Sequence, residues 1–483
     1  IIIINMYGGY LMDISQLLND INDFVWGPIM LALLVGTGIF LTVRLKFLPW
    51  INLCWYSVRL IFRKKSKNEG DISPFQSLMT ALSATVGTGN IVGVSTAMVL
   101  GGPGAIIWMW ISAAFGLSTK YAESVLAVKY RETNLIGEMS GGPMYAMKNG
   151  IGGTLGRVMA FLFAFFAVCA SFGIGNMTQA NSIAAALNTS FDIPTSVTGA
   201  VIMICAFAIL IRGIRSIGKV SSIIVPVMAA FYLVVTLIVI IVNFKNVPSG
   251  LMTMINMAFS PESIAGGVGG TVIANMFTAM RWGVARGVFS NEAGLGSAPI
   301  AAAAARTDHA SRQGYVNMTG TFFDTMIICM LTGLVISSSG MLGAVDVETG
   351  KLVSGAQLTI LAFSSVFGDY AKFIVSISLA LFAFSTILGW EYYGEKSLEY
   401  LVSNRKVIYF YRTFFSIITF VGATATLEIV WNFSDTMNGL MAIPNLICLL
   451  ILNKDIANEC FQYQKEVVER EKRGEYVEYT SKA

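Results

Sequence analysis

Apolar runs of about twenty residues, parted by short polar stretches, recur along almost the whole chain, and a helix of that length is what crosses a bilayer. Eleven such runs predict helices near residues 24–43, 74–98, 104–128, 154–187, 195–211, 219–243, 262–290, 314–338, 371–394, 407–426 and 434–453. With the N-terminus outside, Arg44, Lys46, Arg59, Arg63, Lys64, Lys65 and Lys67 fall in the first internal loop. Later internal loops hold Lys129, Arg131, Lys148, Arg157, Arg212, Arg215, Lys219, Arg306, Arg312, Lys396, Arg405 and Lys406, against Lys245, Lys351 and Lys372 on the other side. Basic loops stay inside, so the expected orientation has the N-terminus outside and the C-terminus in the cytoplasm. The chain then divides into an extracellular segment, 1–23, a single transmembrane domain, 24–453, and a cytoplasmic tail, 454–483. Residues 1–11 precede Met12-Asp13-Ile14-Ser15, a more natural start, and are read as an extension; no cleaved signal is expected.

Two of the runs are interrupted by glycines, at Val86-Gly87-Thr88-Gly89-Asn90-Ile91 and at Gly283-Val-Ala-Arg-Gly287-Val-Phe-Ser-Asn-Glu-Ala-Gly294-Leu-Gly296. Glycine pairs let backbone groups leave the helical ladder, which hydrocarbon tolerates only where protein or a water-filled site satisfies them. Setting the first helix aside leaves ten, which split into halves at about 74–245 and 260–453. Each half opens with a broken helix, the second and the seventh, and the two run in opposite directions. The predicted fold is therefore an all-α polytopic membrane protein, a LeuT-type 5+5 inverted repeat preceded by one extra helix, with its binding site at the interruptions.

Composition narrows the function. Hydrophobic residues make up 55% and charged residues 12%, with mean hydropathy +0.68, which excludes an ordinary soluble globular chain. The net charge of +4 gives no reason to expect nucleic acid. Cys54, Cys169, Cys205, Cys329, Cys448 and Cys460 are scattered without a CxxC pair, and His309 is the one histidine, so neither a disulfide scaffold nor a zinc site is indicated. There is no HExxH or GxSxG constellation to suggest an enzyme, and no repeated carbonyl filter to suggest a channel. No cofactor is expected beyond a coupling ion.

The stretch Gly101-Gly-Pro-Gly-Ala-Ile-Ile-Trp-Met-Trp-Ile-Ser-Ala-Ala-Phe-Gly116 closely resembles the signature of the alanine or glycine:cation symporter family, with Ile107 where a phenylalanine is usual. Ser83-Ala-Thr-Val-Gly-Thr-Gly-Asn-Ile-Val-Gly93, Gly173-Ile-Gly-Asn-Met-Thr-Gln-Ala-Asn181 and Arg286-Gly-Val-Phe-Ser-Asn-Glu-Ala-Gly-Leu-Gly-Ser297 resemble the same family. The resemblance covers nearly the whole chain. It implies sodium-coupled import of alanine, glycine or a similarly small neutral amino acid across a cell (cytoplasmic or inner) membrane, with proton coupling or another small amino acid as the alternative.

The second helix is also similar to the first helix of LeuT-type transporters, whose unwound backbone holds substrate and sodium. Carried over by position, the amides of Thr88 and Gly89 would meet the amino acid's carboxylate, while the carbonyls of Ser83, Thr85 and Val86, with the Asn90 side chain, would offer neutral oxygens to sodium. Ser385 and Thr386 on the ninth helix resemble the second sodium site of that group; alternatively, each hydroxyl bonds a carbonyl of its own helix. Phe172, Asn176 and Gln179 share one face at helical spacing and either line the substrate pocket or bind neighbouring helices together, worth about 0.6–2 kcal/mol each. Trp390 either walls the pocket or packs as an ordinary helix residue.

On a seventh helix starting near residue 262, Asn275, Thr278 and Gly283 would face the pocket, with Ser290 to Gly294 toward the cytoplasm. Glu292 either pairs with Arg281 and Arg286 as an inner gate or caps a helix in a loop. Glu123, Asp324 and Glu428 lie in or near apolar runs, where an ionisable group is a functional suspect; they pair within the bundle or carry protons. The mixed-charge run Lys465–Arg473 reads as a solvated helix without a function.

Overall fold

The computed structural model describes residues 20–61, 69–134, 137–260, 263–267, 270–346, 350–425 and 428–475. Its principal helices are α1 (Pro28–Arg44), α2 (Pro74–Thr85), α3 (Val92–Gly101), α4 (Gly104–Lys129), α5 (Gly153–Phe191), α6 (Thr195–Leu210), α7 (Ile214–Val242) and α8 (Val247–Phe259). They continue with α9 (Met276–Asn291), α10 (Pro299–Ala303), α11 (Ala310–Ser339), α12 (Gly355–Phe367), α13 (Ala371–Leu401), α14 (Arg405–Thr424), α15 (Glu428–Ile451) and α16 (Asn453–Tyr463). Among the described residues, seven helices are long and apolar enough to cross a membrane, and α3, α6 and α8 are shorter apolar ones. Large apolar side chains such as Val201, Ile204, Ile223, Val227, Val234 and Ile241 stand exposed on α6 and α7. In water such a surface would be a liability; against lipid tails it carries no penalty.

α2, α4 and α9 occupy the centre of the packing. α2 lies against α7 and α13, α9 runs along α3 and α4, and α11 also packs on α4, while α5 joins α13 to α15 and α6 packs on α14. The start of α2 is set by a capping box: Gln76 N donates to Ser73 Oγ and Ser73 N to Gln76 Oε1, both 3.1 Å, with Pro74 in the first turn. Just before it, the backbone is strapped to the segment after α10. Asp71 N and Ile72 N donate to Ala304 O at 2.9 and 3.2 Å, and Arg306 N donates to Ile72 O at 2.8 Å. The Arg131 guanidinium clamps the same place, reaching Ala303 O and Ala305 O at 3.0 and 2.8 Å.

Two expectations change. The span predicted from residue 262 is not helical at its start: β3 (Ser263–Gly267) pairs antiparallel with β4 (Gly270–Ala274), and helix begins only at Met276. (Two further strands among the described residues, β1, Glu132–Thr133, and β2, Met139–Ser140, pair with each other separately.) The tail is not wholly solvated, because Val467 and Val468 are fully buried and the Tyr463 hydroxyl meets Tyr56 at 2.7 Å. His309 caps α11, its Nδ1 accepting from Ser311 N at 3.1 Å. Burial holds its imidazole below the ordinary range, with Glu459 opposing.

Candidate functional site

α2 stops where Val86 turns to ψ 91°, and a single 3₁₀ turn, Thr88–Asn90, intervenes before α3. Asn90 closes that turn, accepting from Gly87 N at 2.9 Å. Thr88 N reaches Gln179 Oε1 at a long 3.4 Å, and the Thr88 hydroxyl is buried with no hydrogen-bond partner among the described residues. Both glycines are required by close approach. A Cβ on Gly87 would collide with the Thr386 hydroxyl, and one on Gly89 would stand 3.1 Å from Ser290 Cα and Cβ.

Ser290 lies in the last turn of α9, just before the second interruption, which separates α9 from α10. Glu292, Gly294 and Gly296 have φ of 57°, 98° and 81°, so the chain cannot continue as a helix. A buried carboxylate holds this segment: Glu123 Oε1 accepts from Gly294 N (3.0 Å), Gly296 N (3.1 Å) and Asn445 Nδ2 (2.7 Å). Lys120 Nζ donates to Asn291 O at 2.7 Å, and Glu292 accepts from Ser297 Oγ at 2.7 Å.

Asp324, in a π-helical stretch of α11 (Phe322–Cys329), ties the two interruptions together. Its Oδ1 accepts from Asn90 Nδ2 at 2.7 Å; its Oδ2 accepts from Ser290 Oγ at 2.8 Å and Thr325 Oγ1 at 2.7 Å. Lys120, Glu123, Glu292 and Asp324 are all buried. Ionisable groups at this depth persist only where partners replace their water.

A third polar contact joins α13 to the end of α2. Ser385 Oγ lies 2.8 Å from Phe382 O and 3.2 Å from Ser83 O, and Thr386 Oγ1 donates to Phe382 O at 3.1 Å. A hydroxyl has one hydrogen. Given to the nearer carbonyl, it leaves Ser385 Oγ and Ser83 O presenting lone pairs to each other.

The structure thus gathers Ser83, Val86, Gly87, Thr88, Gly89, Asn90, Gln179, Ser385 and Thr386 around the first interruption, with Thr85 buried at the end of α2. It does not bring Phe172 or Asn176 there. Asn176 Nδ2 donates to Phe415 O at 2.7 Å, and Phe172 packs edgewise on Tyr411 and Phe414, so both bind α5 to α14. Asn275 and Thr278 cap the exposed start of α9, where Asn275 Oδ1 accepts from Thr278 N at 2.9 Å. Gly283 packs against Ala105 and Trp108 of α4. The interruption of the seventh predicted helix falls at the C-terminal end of the Gly283–Gly296 stretch, at residues 292–298, and not around Asn275 to Gly283, placing Ser290 and Asn291 beside Asn90 and Asp324 instead of toward one membrane face. Arg281 pairs with Asp23 and Arg286 with Asp435 (3.1 Å), neither with Glu292. Trp390 is buried against Tyr393 and Gly175, one turn from Thr386. The side chain of Glu428 lies outside the described residues. Sequence reasoning missed Ser290, Asn291 and Thr325. The Gly294-Leu-Gly296 run, a Gly-x-Gly like Gly87-Thr-Gly89, was the signal that would have found the first two.

Comparison with known proteins agrees with this architecture. Residues 11–477 match the model of the sodium:alanine symporter family. Sodium/alanine symporter AgcS of Methanococcus maripaludis is 51% identical, over 93% of this chain and 97% of its own. The probable sodium/glutamine symporter GlnT of Bacillus subtilis is 36% identical, over 92% and 90%. Among solved structures, MhsT in complex with L-phenylalanine superposes with a TM-score of 0.55 at 12% identity, over 82% of this chain and 99% of that one, which shows a LeuT-type fold. The chain is a multi-pass membrane transporter, not an enzyme, and belongs to the sodium:alanine symporter family.

Proposed function

We propose that the protein imports alanine, and with it glycine and similarly small neutral amino acids, across a cytoplasmic or inner membrane together with sodium, with its N-terminus outside. The observation that carries this reading is the approach of Ser385 Oγ to Ser83 O at 3.2 Å, beside the Thr386 hydroxyl. Neutral oxygens gathered inside apolar surroundings are a ready shell for a hard monovalent cation, since the Ser385 hydroxyl can give its hydrogen to Phe382 O and turn a lone pair, with Ser83 O, toward the ion. Asn90 and the carbonyls of Thr85 and Val86 stand at the same turn.

The amino acid's carboxylate goes to the amides of Thr88 and Gly89. Thr88 N now makes a long bond to a neutral amide oxygen, and a charged acceptor binds such an N–H about twice as strongly, so substrate displaces Gln179. Gln179 is then free to meet the ammonium group. Asp324 keeps Asn90 and Ser290 in register, so that both interrupted helices respond to the same occupant. Trp390 limits the size of the side chain. Sodium orders the turn, substrate binds the ordered turn, and movement of one bundle against the rest releases both inward.

The test is uptake of labelled alanine into proteoliposomes under an inward sodium gradient, an equal potassium gradient and an imposed pH gradient. Accumulation with sodium alone is expected. Accumulation with the pH gradient alone would overturn the sodium assignment and move the coupling to Glu123 or Asp324.

A further inference from the structure

Glu391, one residue beyond Trp390 on α13, is fully buried; among the described residues no donor reaches either of its carboxyl oxygens, and its carboxyl instead faces another carboxyl, that of Glu395. The cations near it are already engaged. Arg412 of α14 forks onto Glu395, its Nε and Nη2 at 2.5 and 2.9 Å from the two oxygens, and its Nη1 donates to Ile211 O at 3.1 Å. Lys396 is held by Glu399 at 2.8 Å and Glu138 at 3.1 Å. Tyr411, the other titratable group facing Glu391 from α14, shares its hydroxyl with Ser171 of α5 at 2.9 Å. Glu395, one turn along the same helix, adds a like charge. A bare carboxylate in that position has no donor among the described residues and shares Arg412 and Lys396 with carboxylates that already hold them, so its desolvation cost is not repaid.

We propose that Glu391 is a proton-binding site of the transport cycle: its carboxyl carries a proton while α5, α13 and α14 are packed together and yields it to water when that packing opens. On release the O–H bond breaks, the electron pair stays on the carboxylate and the proton passes to solvent, so no further reagent is needed. Glu391 lies five residues, about 7.5 Å of helix rise, beyond Thr386, close enough for α13 to link its protonation to the movement of Thr386. This goes beyond sodium-coupled uptake, because it adds a second ion to the same helix without placing it among the sodium oxygens.

The test has two arms on the purified full-length protein. Infrared difference spectra between wild type and Glu391→Gln should show a protonated-carboxyl C=O band present only in wild type, a readout that needs no transport. Sodium-driven alanine uptake in wild type should fall by about tenfold per pH unit once the group titrates on the alkaline side. Glu391→Gln should hold uptake flat, while Glu391→Asp should keep a band and an alkaline fall, both displaced. Identical spectra for wild type and Glu391→Gln, or the same alkaline fall in both, would overturn the proposal. Absence of alanine uptake in wild type at every pH would instead count against the transport reading, with the spectra still deciding Glu391.

Discussion

Gly89 faces Ser290 so closely that its hydrogen is the side chain. Replacing it with valine should abolish alanine uptake while leaving insertion into the membrane intact; uptake retained in Gly89→Val proteoliposomes would remove the backbone amides from the carboxylate-binding role. Ser385→Ala deletes one of the gathered oxygens. It should raise the sodium concentration for half-maximal uptake by roughly 5- to 150-fold, the span of a coupling of about 1–3 kcal/mol, and an unchanged sodium dependence would exclude Ser385 as a ligand. Residue by residue, the glycines, Asn90 and the hydroxyls of α13 were readable from the chain because their neighbours make a continuous motif. Asn176 was not. On an ideal helix it shares a face with Gln179, but the π-helical turn Gly173–Met177 adds width between them, so Gln179 reaches Thr88 while Asn176 turns to Phe415.

Among elements, the segment between α9 and α10 depends on one side chain. Glu123 accepts from two backbone amides and from Asn445, so Glu123→Ala strands three donors and removes one of the three carboxylates that face Lys120, leaving Glu292 and Asp324. The expected loss is on the order of 3 kcal/mol, measured by thermal unfolding in detergent; an unchanged midpoint would show that water fills the gap without cost. Hydropathy misplaced the start of α9 because it counts apolar content and not periodicity. Ser263 to Ala274 reads as apolar as a helix does, yet Gly266, Gly267 and Gly270 with Val272 and Ile273 suit a hairpin better. The interruption itself was legible once the right glycines were chosen, since Gly294 and Gly296 take positive φ.

In the molecule as a whole, the binding of sodium and of alanine should be reciprocal. If both bind one ordered turn, the factor by which saturating sodium tightens alanine binding must equal the factor by which alanine tightens sodium. Calorimetry of each ligand with and without the other checks this, and unequal factors would mean that the ligands favour different conformations. The LeuT-type fold and the family were visible in the chain because they rest on the order of runs and on local motifs; Asp324's place between the two interruptions was not, since it depends on three helices meeting. The strap between Gly70–Ile72 and Ala304–Arg306, clamped by Arg131, bears on thermodynamic fidelity. It fastens the beginning of one interrupted helix to the end of the other, and if the two must for that reason move together, a half-loaded carrier has no private route across. Arg131→Ala should therefore admit slippage: sodium entry into vesicles without alanine should rise several-fold while coupled uptake persists, and a tight variant would assign the barrier to another contact. On this account the ratio of ions to amino acids is guarded by a few backbone hydrogen bonds at one end of the bundle, as well as by the ligands that are counted.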